Sequence, residues 1–383
     1  MNTWTERQLG ELIHIKHGFA FSGDYIVDYD NGVVLVTPGN FKIGGGFKHS
    51  GKKFFSGEIP DDYILQGNAL IVTMTDLSKN ADTLGYAAYV PNDEKTYLHN
   101  QRIGLVSIIS DDINESFLYW LLRTPWYQRR IANTCNGANV KHTSPDRIYK
   151  YKFLLPTLSE QKNIAKILSA YDNLIEANNR RIELLEQAAQ ELYKEWFVRF
   201  RFPGYENTKF ESGLPEGWVF CRLGKIMSFG AGKTRPESGE TYPVYGGNGI
   251  LDYCNYYNNE NAIIIGRVGA YCGTVYYEPD KCWISDNALF AESKNDASFY
   301  NYYLLKNMNL NARQVGTGQP LITQGLLNRI KILLPPEPVV KKFNEISSEL
   351  LKQQHTLRKQ NTNLAAQRDM LLPRLMSGKL EVN

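Results

Sequence analysis

The chain has 383 residues, 43% of them hydrophobic and 22% charged, with a net charge of only +3. Two or three globular domains of about 150 residues fit that length and composition, and so small a charge counts against a protein that binds nucleic acid unaided. No apolar run reaches the roughly 18 residues of a membrane span; the start, MNTWTERQLGELIHI, lacks the cationic-then-apolar pattern of a secretory signal; and five cysteines without CxxC spacing fit the reduced thiols of a cytoplasmic protein, with no zinc site.

Residues 1–155 form a first globular stretch. It is rich in Gly, Asn, Tyr and short β-branched runs such as Val33–Val36 and Leu70–Thr73, which read as strands joined by long loops. One helix is expected around Phe117–Arg130. Residues 156–202 change character. Ile164, Leu168, Tyr171, Ile175, Asn178, Ile182, Leu185, Ala189, Leu192 and Trp196 recur at alternating steps of four and three, a heptad seam that predicts one long helix. Ser159, with Glu160 and Gln161, supplies its N-terminal cap region. At about 1.5 Å per residue, Ser159–Phe197 spans roughly 58 Å, the length of a spacer. Pro203, Gly204, Gly213, Pro215 and Gly217 then link into a second globular stretch, 203–334, with strand patterns such as Ala262–Ile265 and a helix around Phe299–Asn307. A second long helix follows in 335–376, with Leu350, Leu357, Leu364 and Leu371 seven residues apart. It is expected from about Pro338 to Leu372, closed by Pro373, with 377–383 as a tail.

The chain repeats itself. Lys152–Pro156 matches Lys331–Pro335 at an offset of 179, which then holds unbroken: Ile164 meets Phe343, Tyr171 meets Leu350, Leu185 meets Leu364. In the globular stretches the matches stay in order while the offset falls. Trp4 and Leu9-Gly10 meet Trp218 and Leu223-Gly224 at 214, and Asn68–Val72 meets Asn261–Ile265 at 193. Tyr89 meets Tyr277 at 188, Asn100 meets Asn287 at 187, and Leu121-Leu122 meets Leu304-Leu305 at 183. The first copy therefore carries insertions and the helices carry none. The expected fold is α+β: two mostly-β domains in pseudo-two-fold repeat, separated by two long antiparallel coiled-coil helices that hold the domains at opposite ends of a rod. Burying each Leu or Ile of the seam stabilises it by roughly 1.5–3 kcal/mol, while Asn178 gives up stability to fix register. Leu174, Leu184, Ala188 and Phe197 widen the apolar arc of the first helix and call for further cover.

Several chemistry-bearing patterns are incomplete. Phe229-Gly-Ala-Gly-Lys-Thr234 resembles a phosphate-binding loop but has Met227 where that motif needs glycine. Pro279-Asp280 with Glu292-Ser-Lys294 matches a metal-nuclease spacing, yet the first copy has Asn92 in the matching place. The six histidines lack HExxH spacing, and Asp61-Asp62 and Asp111-Asp112 read as solvated loop carboxylates.

The long helices and their flanks carry a family resemblance. LLPTLSEQKNIAKIL at 154–168, ILLPPEPVVKKF at 332–343, LYKEWFVRFRFPG at 192–204, MLLPRLMSGKLEV at 370–382, YPVYGGNGI at 242–250 and SDNALF at 285–290 resemble the specificity subunits (the HsdS family) of type I restriction–modification systems, over nearly the whole length. The resemblance implies a non-catalytic subunit with two target-recognition domains, each reading one half of a split site in double-stranded DNA. It implies helices that set the spacing of the halves and dock two modification (methyltransferase) subunits, which restriction subunits join. It also implies no cofactor on this chain, with S-adenosylmethionine, ATP and Mg on the partner subunits. The second helix start departs mildly, Pro-Glu-Pro standing for Thr-Leu-Ser-Glu-Gln.

Base readout needs Arg, Lys, Asn, Gln, Ser or Thr presented to groove edges. On that ground the candidate DNA-binding residues are Lys16, His17, Lys79, Asn139, Lys141 and His142 in the first domain. In the second they are Lys233, Thr234, Arg235, Tyr245, Asn248, Arg267, Tyr271 and Gln319. Trp4, Tyr86, Phe117, Tyr119, Trp120 and Tyr302 are expected to pack. Two other readings stay open at this point: a coiled-coil scaffold that binds protein partners but no DNA, and a metal-dependent nuclease built on Asp280.

Overall fold

The computed structural model of the chain describes residues 4–137, 140–313 and 321–382. They form two compact units, Met1–Glu176 with Thr362–Asn383, and Ala177–Asn361. Each unit thus holds one globular domain and a part of both long helices.

In the first unit an antiparallel four-stranded sheet runs in the order Ile13–His17, Ile103–Ile108, Leu70–Thr73, Ala87–Tyr89. A five-stranded sheet has the order Ile26–Val27, Lys53–Phe55, Val33–Val36, Thr96–His99, Ile64–Leu65, and its Val33–Val36 and Thr96–His99 run parallel. Thr5–Gln8 pairs with Lys152–Leu155 and ties the start of the chain to the strand that leads into the long helix. The helix expected over Phe117–Arg130 is two helices, α1 (Glu115–Leu121) and α2 (Pro125–Asn133). Pro125 bars the residue before it from helical geometry, and Thr124 is extended at φ −71°, ψ 141°. The short helix α3 (Pro145–Tyr149) follows.

The first long helix, α4, spans Leu158–Phe197. Its cap lies earlier than Ser159. Thr157 accepts from the Glu160 backbone N–H, and the Glu160 carboxylate accepts from the Thr157 N–H at 3.0 Å, a reciprocal capping box. Ile164, Ala165 and Leu168 are buried in one core with Leu9, Phe117, Trp120, Tyr127, Leu372 and Leu375.

In the second unit one six-stranded sheet runs Met227–Ala231, Ala288–Ser293, Asn259–Gly266, Val275–Ile284, Tyr242–Gly246, Gly249–Cys254. Val219–Arg222 pairs with Lys331–Leu334 just as Thr5–Gln8 pairs with Lys152–Leu155. Helices α5 (Ser298–Asn307) and α6 (Gln324–Arg329) precede the second long helix, α7 (Glu337–Met376). α7 does not stop at Pro373. The proline costs a hydrogen bond to the Asp369 carbonyl, but Leu375 and Met376 are buried in the first unit's core and hold the last turn.

Within the second unit, rising numbers on α4 meet falling numbers on α7. Asn178 donates to Asn361 at 2.9 Å, and the Tyr193 ring lies 5.9 Å from Phe343. Within the first unit Asp172 of α4 pairs with Arg368 of α7. The pairing is antiparallel. Of the seam, Ile164, Leu168, Asn178 and Leu357 are buried, and Tyr171, Ile175, Ile182, Leu185, Leu192, Leu350, Leu364 and Leu371 are half-buried. Leu174 and Leu184 are 48% and 47% exposed, whereas Phe197 packs into the second unit's core.

The repeat extends to single backbone contacts. Asn68 and Asn261 both take the left-handed backbone conformation, φ 63° and 52°, where asparagine is tolerated. Leu9 N–H donates to Tyr151 O and Leu223 N–H to Ile330 O, at 3.0 and 2.8 Å. One pairing changes. Phe19 bridges to Asn100 as Lys233 bridges to Ser285, so Asn100 stands opposite Ser285, and Asn287 matches Arg102.

Candidate nucleic-acid interface

In the second unit four loops converge on the segment Ser285-Asp-Asn287. Lys233 N–H donates to Ile284 O at 3.0 Å, Arg267 N–H to Asn287 O at 3.0 Å, and Ser285 N–H to Tyr245 O at 2.9 Å. Thr274 Oγ1 donates to Gly247 O at 2.6 Å and brings the turn that carries Asn248 against the loop after Arg267. Ile322 N–H donates to Arg267 O at 2.9 Å and adds the strand-like return at 321–322. The sequence dictates this convergence at Gly232. A Cβ there would lie 2.0 Å from the Ser285 carbonyl oxygen, so only glycine lets the two backbones cross. Gly18 is the same crossing in the first unit, 2.2 Å from Asn100 O. The phosphate-loop look-alike is this crossing, and its glycine serves backbone contact.

The loops hold Lys233, Thr234, Asn248, Tyr271, Asp286 and Asn287 at the surface, Tyr271 being 49% exposed. Arg267 is half-buried, its guanidinium directed at Asp286 O. Arg235 is paired with Asp252, which also accepts from Ser238 at 2.6 Å. The Ser238 hydroxyl, then the Tyr253 N–H and Arg235, hold the Asp252 carboxyl down to about 2. Tyr245 is a correction. It is 7% exposed, and its hydroxyl donates to Glu278 at 2.8 Å, so it braces the sheet and presents nothing. Gln319 lies outside the described residues.

The first unit gathers the matching loops. Phe19 N–H donates to His99 O at 2.8 Å, Met74 N–H to Arg102 O at 2.9 Å, and Thr143 N–H to Met74 O at 3.0 Å. His142 Nδ1 lies 3.1 Å from Thr75 Oγ1, and Lys141 Nζ donates to Gly137 O at 3.1 Å. Lys16 donates to Asp62 O at 2.8 Å and lies over the Tyr63 ring. His17 and Lys79 are exposed; Asn139 lies outside the described residues. One loop has no equal in the second unit. Gly85 N–H donates to Thr73 O as Gly273 N–H does to Gly266 O, so residues 74–84 stand where the second copy has 267–272. Buried Asp76 organises the longer loop. It accepts from Ser78 N–H at 2.6 Å, from Thr83 N–H at 2.5 Å and from Thr83 Oγ1 at 2.7 Å. Burial opposes its charge, and these hydrogen bonds together outweigh burial, so its carboxyl is lowered below the usual range. Lys79 and Asn80 are exposed on that loop, beside the strand Lys141–His142 that pairs with Thr75–Asp76.

Sequence reasoning missed Asp76, Arg102 and Asn287 as parts of these loops. Arg102 and Asn287 were hidden by the match of Asn100 to Asn287, which is two residues out of register. Asp76 carried a signal, since an Asp followed by Ser two residues on and Thr seven on is a side-chain-capped turn.

The nuclease pattern does not assemble. Asp280 is engaged by His355 at 3.2 Å and Lys359 at 3.0 Å, and Lys294 donates to Gly224 O at 2.6 Å. Among the described residues no three His, Cys, Asp or Glu are grouped to hold a metal ion, and no helix is long and apolar enough to cross a membrane. All five cysteines are free thiols.

Comparison with known proteins follows the same lines. The family described as "Type I restriction modification DNA specificity domain" matches residues 1–187 and 215–365. The chain is 26% identical over 334 residues to the type I restriction enzyme MjaIX specificity subunit of Methanocaldococcus jannaschii, covering 78% of this chain and 76% of that one. It is 25% identical over 313 residues to the MjaVIII specificity subunit of the same organism, covering 72% and 71%. The crystal structure of a type I restriction–modification S subunit from M. genitalium shares the fold, with a TM-score of 0.60 at 19% identity over 98% of this chain and 96% of that one. Two strand-rich domains, two long helices and an internal repeat that extends to single hydrogen bonds are thus joined by a match over both repeats: the chain belongs to the type I restriction–modification DNA specificity family.

Proposed function

We propose that each globular domain reads one half of a split site in double-stranded DNA, and that the paired helices set the number of unread base pairs between the halves. The observation that carries this reading is the repeated crossing at Gly18 and Gly232, which in each domain gathers loops bearing exposed Lys and Asn side chains around one strand end. Groove readout needs such groups on a rigid platform, and loops anchored by backbone hydrogen bonds supply it. The net charge of +3 leaves much of the phosphate neutralisation to other subunits. The partners in this reading are two modification subunits, docked on the exposed apolar stripe of α4 that includes Leu174 and Leu184, with restriction subunits joining the complex. S-adenosylmethionine, ATP and Mg belong to those partners, and this chain performs no chemistry of its own.

Domain exchange tests the reading. Replacing residues 1–150 by those of a related specificity subunit, in complex with modification subunits, is expected to change one half of the methylated site and leave the other intact. A change in both halves, or in neither, would overturn it.

A further inference from the structure

The internal repeat is a control on which contacts are kept for a purpose. Helices α1 and α5 match at an offset of 183, which aligns Tyr119 with Tyr302, Trp120 with Tyr303 and Arg123 with Lys306. In the first unit Arg123, 4% exposed, donates to the Tyr119 hydroxyl at 2.7 Å and to Asp172 of α4 at 2.6 Å; Asp172 also pairs with Arg368 of α7. In the second unit Lys306 donates to the Tyr302 hydroxyl at 3.0 Å and pairs with Glu186 of α4, which also accepts from the Tyr303 hydroxyl at 3.4 Å. Each domain is therefore tied to the long helices by a cation held under a tyrosine four residues earlier and closed by a carboxylate.

The two carboxylates are not repeat-related. The helix offset of 179 places Asp172 opposite Leu351 and Glu186 opposite Ala365. A tie merely inherited with the duplication would use one acid of α4 and the matching acid of α7. Instead both acids come from α4, at unmatched positions. The two halves arrived at the same charged tie by different routes.

Stability alone does not account for that. A part-buried ion pair contributes little net stability against an apolar isostere, but it is directional, and its best-attested use is to fix register. The packing around it is non-directional and allows a domain to slide. On the reading that the domains bind half-sites, we infer that Arg123–Asp172–Arg368 and Lys306–Glu186 are positioning residues, each setting the angle at which one domain is presented from the helices and so the gap length that the subunit accepts.

The test is a methylation assay by the assembled complex on duplexes carrying the two half-sites at the native gap and at gaps one and two base pairs longer or shorter. The double variant Lys306→Met, Glu186→Gln removes both charges together, so that neither is left unpaired. It is expected to lower the preference for the native gap about tenfold, the middle of the range for coupled contacting pairs, with the half-site bases unchanged. The exchanged pair Lys306→Glu, Glu186→Lys is expected to restore the preference. If the double variant melts earlier yet keeps its gap preference, the tie is only structural and the inference fails. In a complex where the double variant does not assemble, Arg123→Met serves for the other tie. It removes the cation that bonds Tyr119 and Asp172 while leaving Asp172 paired with Arg368, and an unchanged gap preference there would equally overturn the inference. Wild-type complex that methylates no split site at any gap would refute the half-site reading itself, an outcome distinct from either.

Discussion

Asp76 shows how much one side chain decides. Three hydrogen bonds from Ser78 and Thr83 converge on its buried carboxylate and shape the loop that lifts Lys79 and Asn80 to the surface. Asp76→Asn is expected to cost about 1–3 kcal/mol in chemical denaturation near neutral pH, the usual penalty for breaking a buried charge-assisted set. Because the folded carboxyl is held below the usual carboxylate range, its contribution is complete above that range and is lost as pH falls through the lowered folded value. The gap between wild type and variant should therefore close in acid; a gap constant with pH would remove the carboxylate from the account. Gly232→Ala belongs at this scale too. Its Cβ would meet the Ser285 carbonyl oxygen at 2.0 Å. A loss of about 1–3 kcal/mol is expected from such overpacking, with methylation of the split site weakened while DNA-independent assembly is kept. The sequence already pointed at these loops through their glycines, Lys and Asn. It could not tell Tyr245, which braces the sheet against Glu278, from Tyr271, which stands in solvent. Exposure is set by which strand pairs with which, and the residue letter does not carry that.

Among the elements, the long helices were the most legible. A sustained heptad names both the helix and its buried face, and an unbroken offset of 179 ties the two copies. Their ends were less so. Thr157 caps α4 in place of Ser159, and α7 runs past Pro373, because capping geometry and burial of Leu375 and Met376 decide those ends. The mild departure at the second helix start also has a consequence. Gln161, fully buried, bridges the Asn114 N–H and the carbonyls of Asp112 and Pro156, while its repeat partner is Val340. Asn344 takes over the task, accepting from Phe299 N–H and donating to Asp296 O. Asn178 is 3% exposed and is satisfied by Asn361 across the helix pair, while Asn361 donates in turn to Asn179. Asn178→Leu alone takes the donor from Asn361 Oδ1 and is expected to destabilise by about 1–3 kcal/mol. Asn178→Leu with Asn361→Leu is expected to be near neutral or stabilising while relaxing register. Urea unfolding of the three proteins checks this, and equal losses in the single and double variants would argue against a paired role.

At the scale of the whole molecule, the duplication was legible because its anchors keep their order while the offset falls from 214 to 179. The pairing of Asn100 with Asn287 slipped, since a two-residue shift in a loop leaves no periodicity to correct it. The division into units was not legible. Each unit takes a domain with parts of both helices, a partition set by packing such as Ile164 and Leu168 against Leu372 and Leu375. A ruler built on those helices makes a further prediction. Four residues, about one helical turn, inserted at matched positions of both α4 and α7 should lengthen the accepted gap between half-sites without changing their bases; methylation of duplexes with graded gaps measures it, and an unaltered gap would mean that the helices do not set the spacing. The most direct measurement of the central claim is the map of methylated bases in DNA modified by the complex that carries this chain. The account predicts methylation confined to one asymmetric motif of two short half-sites separated by a fixed run of unread base pairs. A contiguous motif, or methylation that does not depend on this chain, would contradict it.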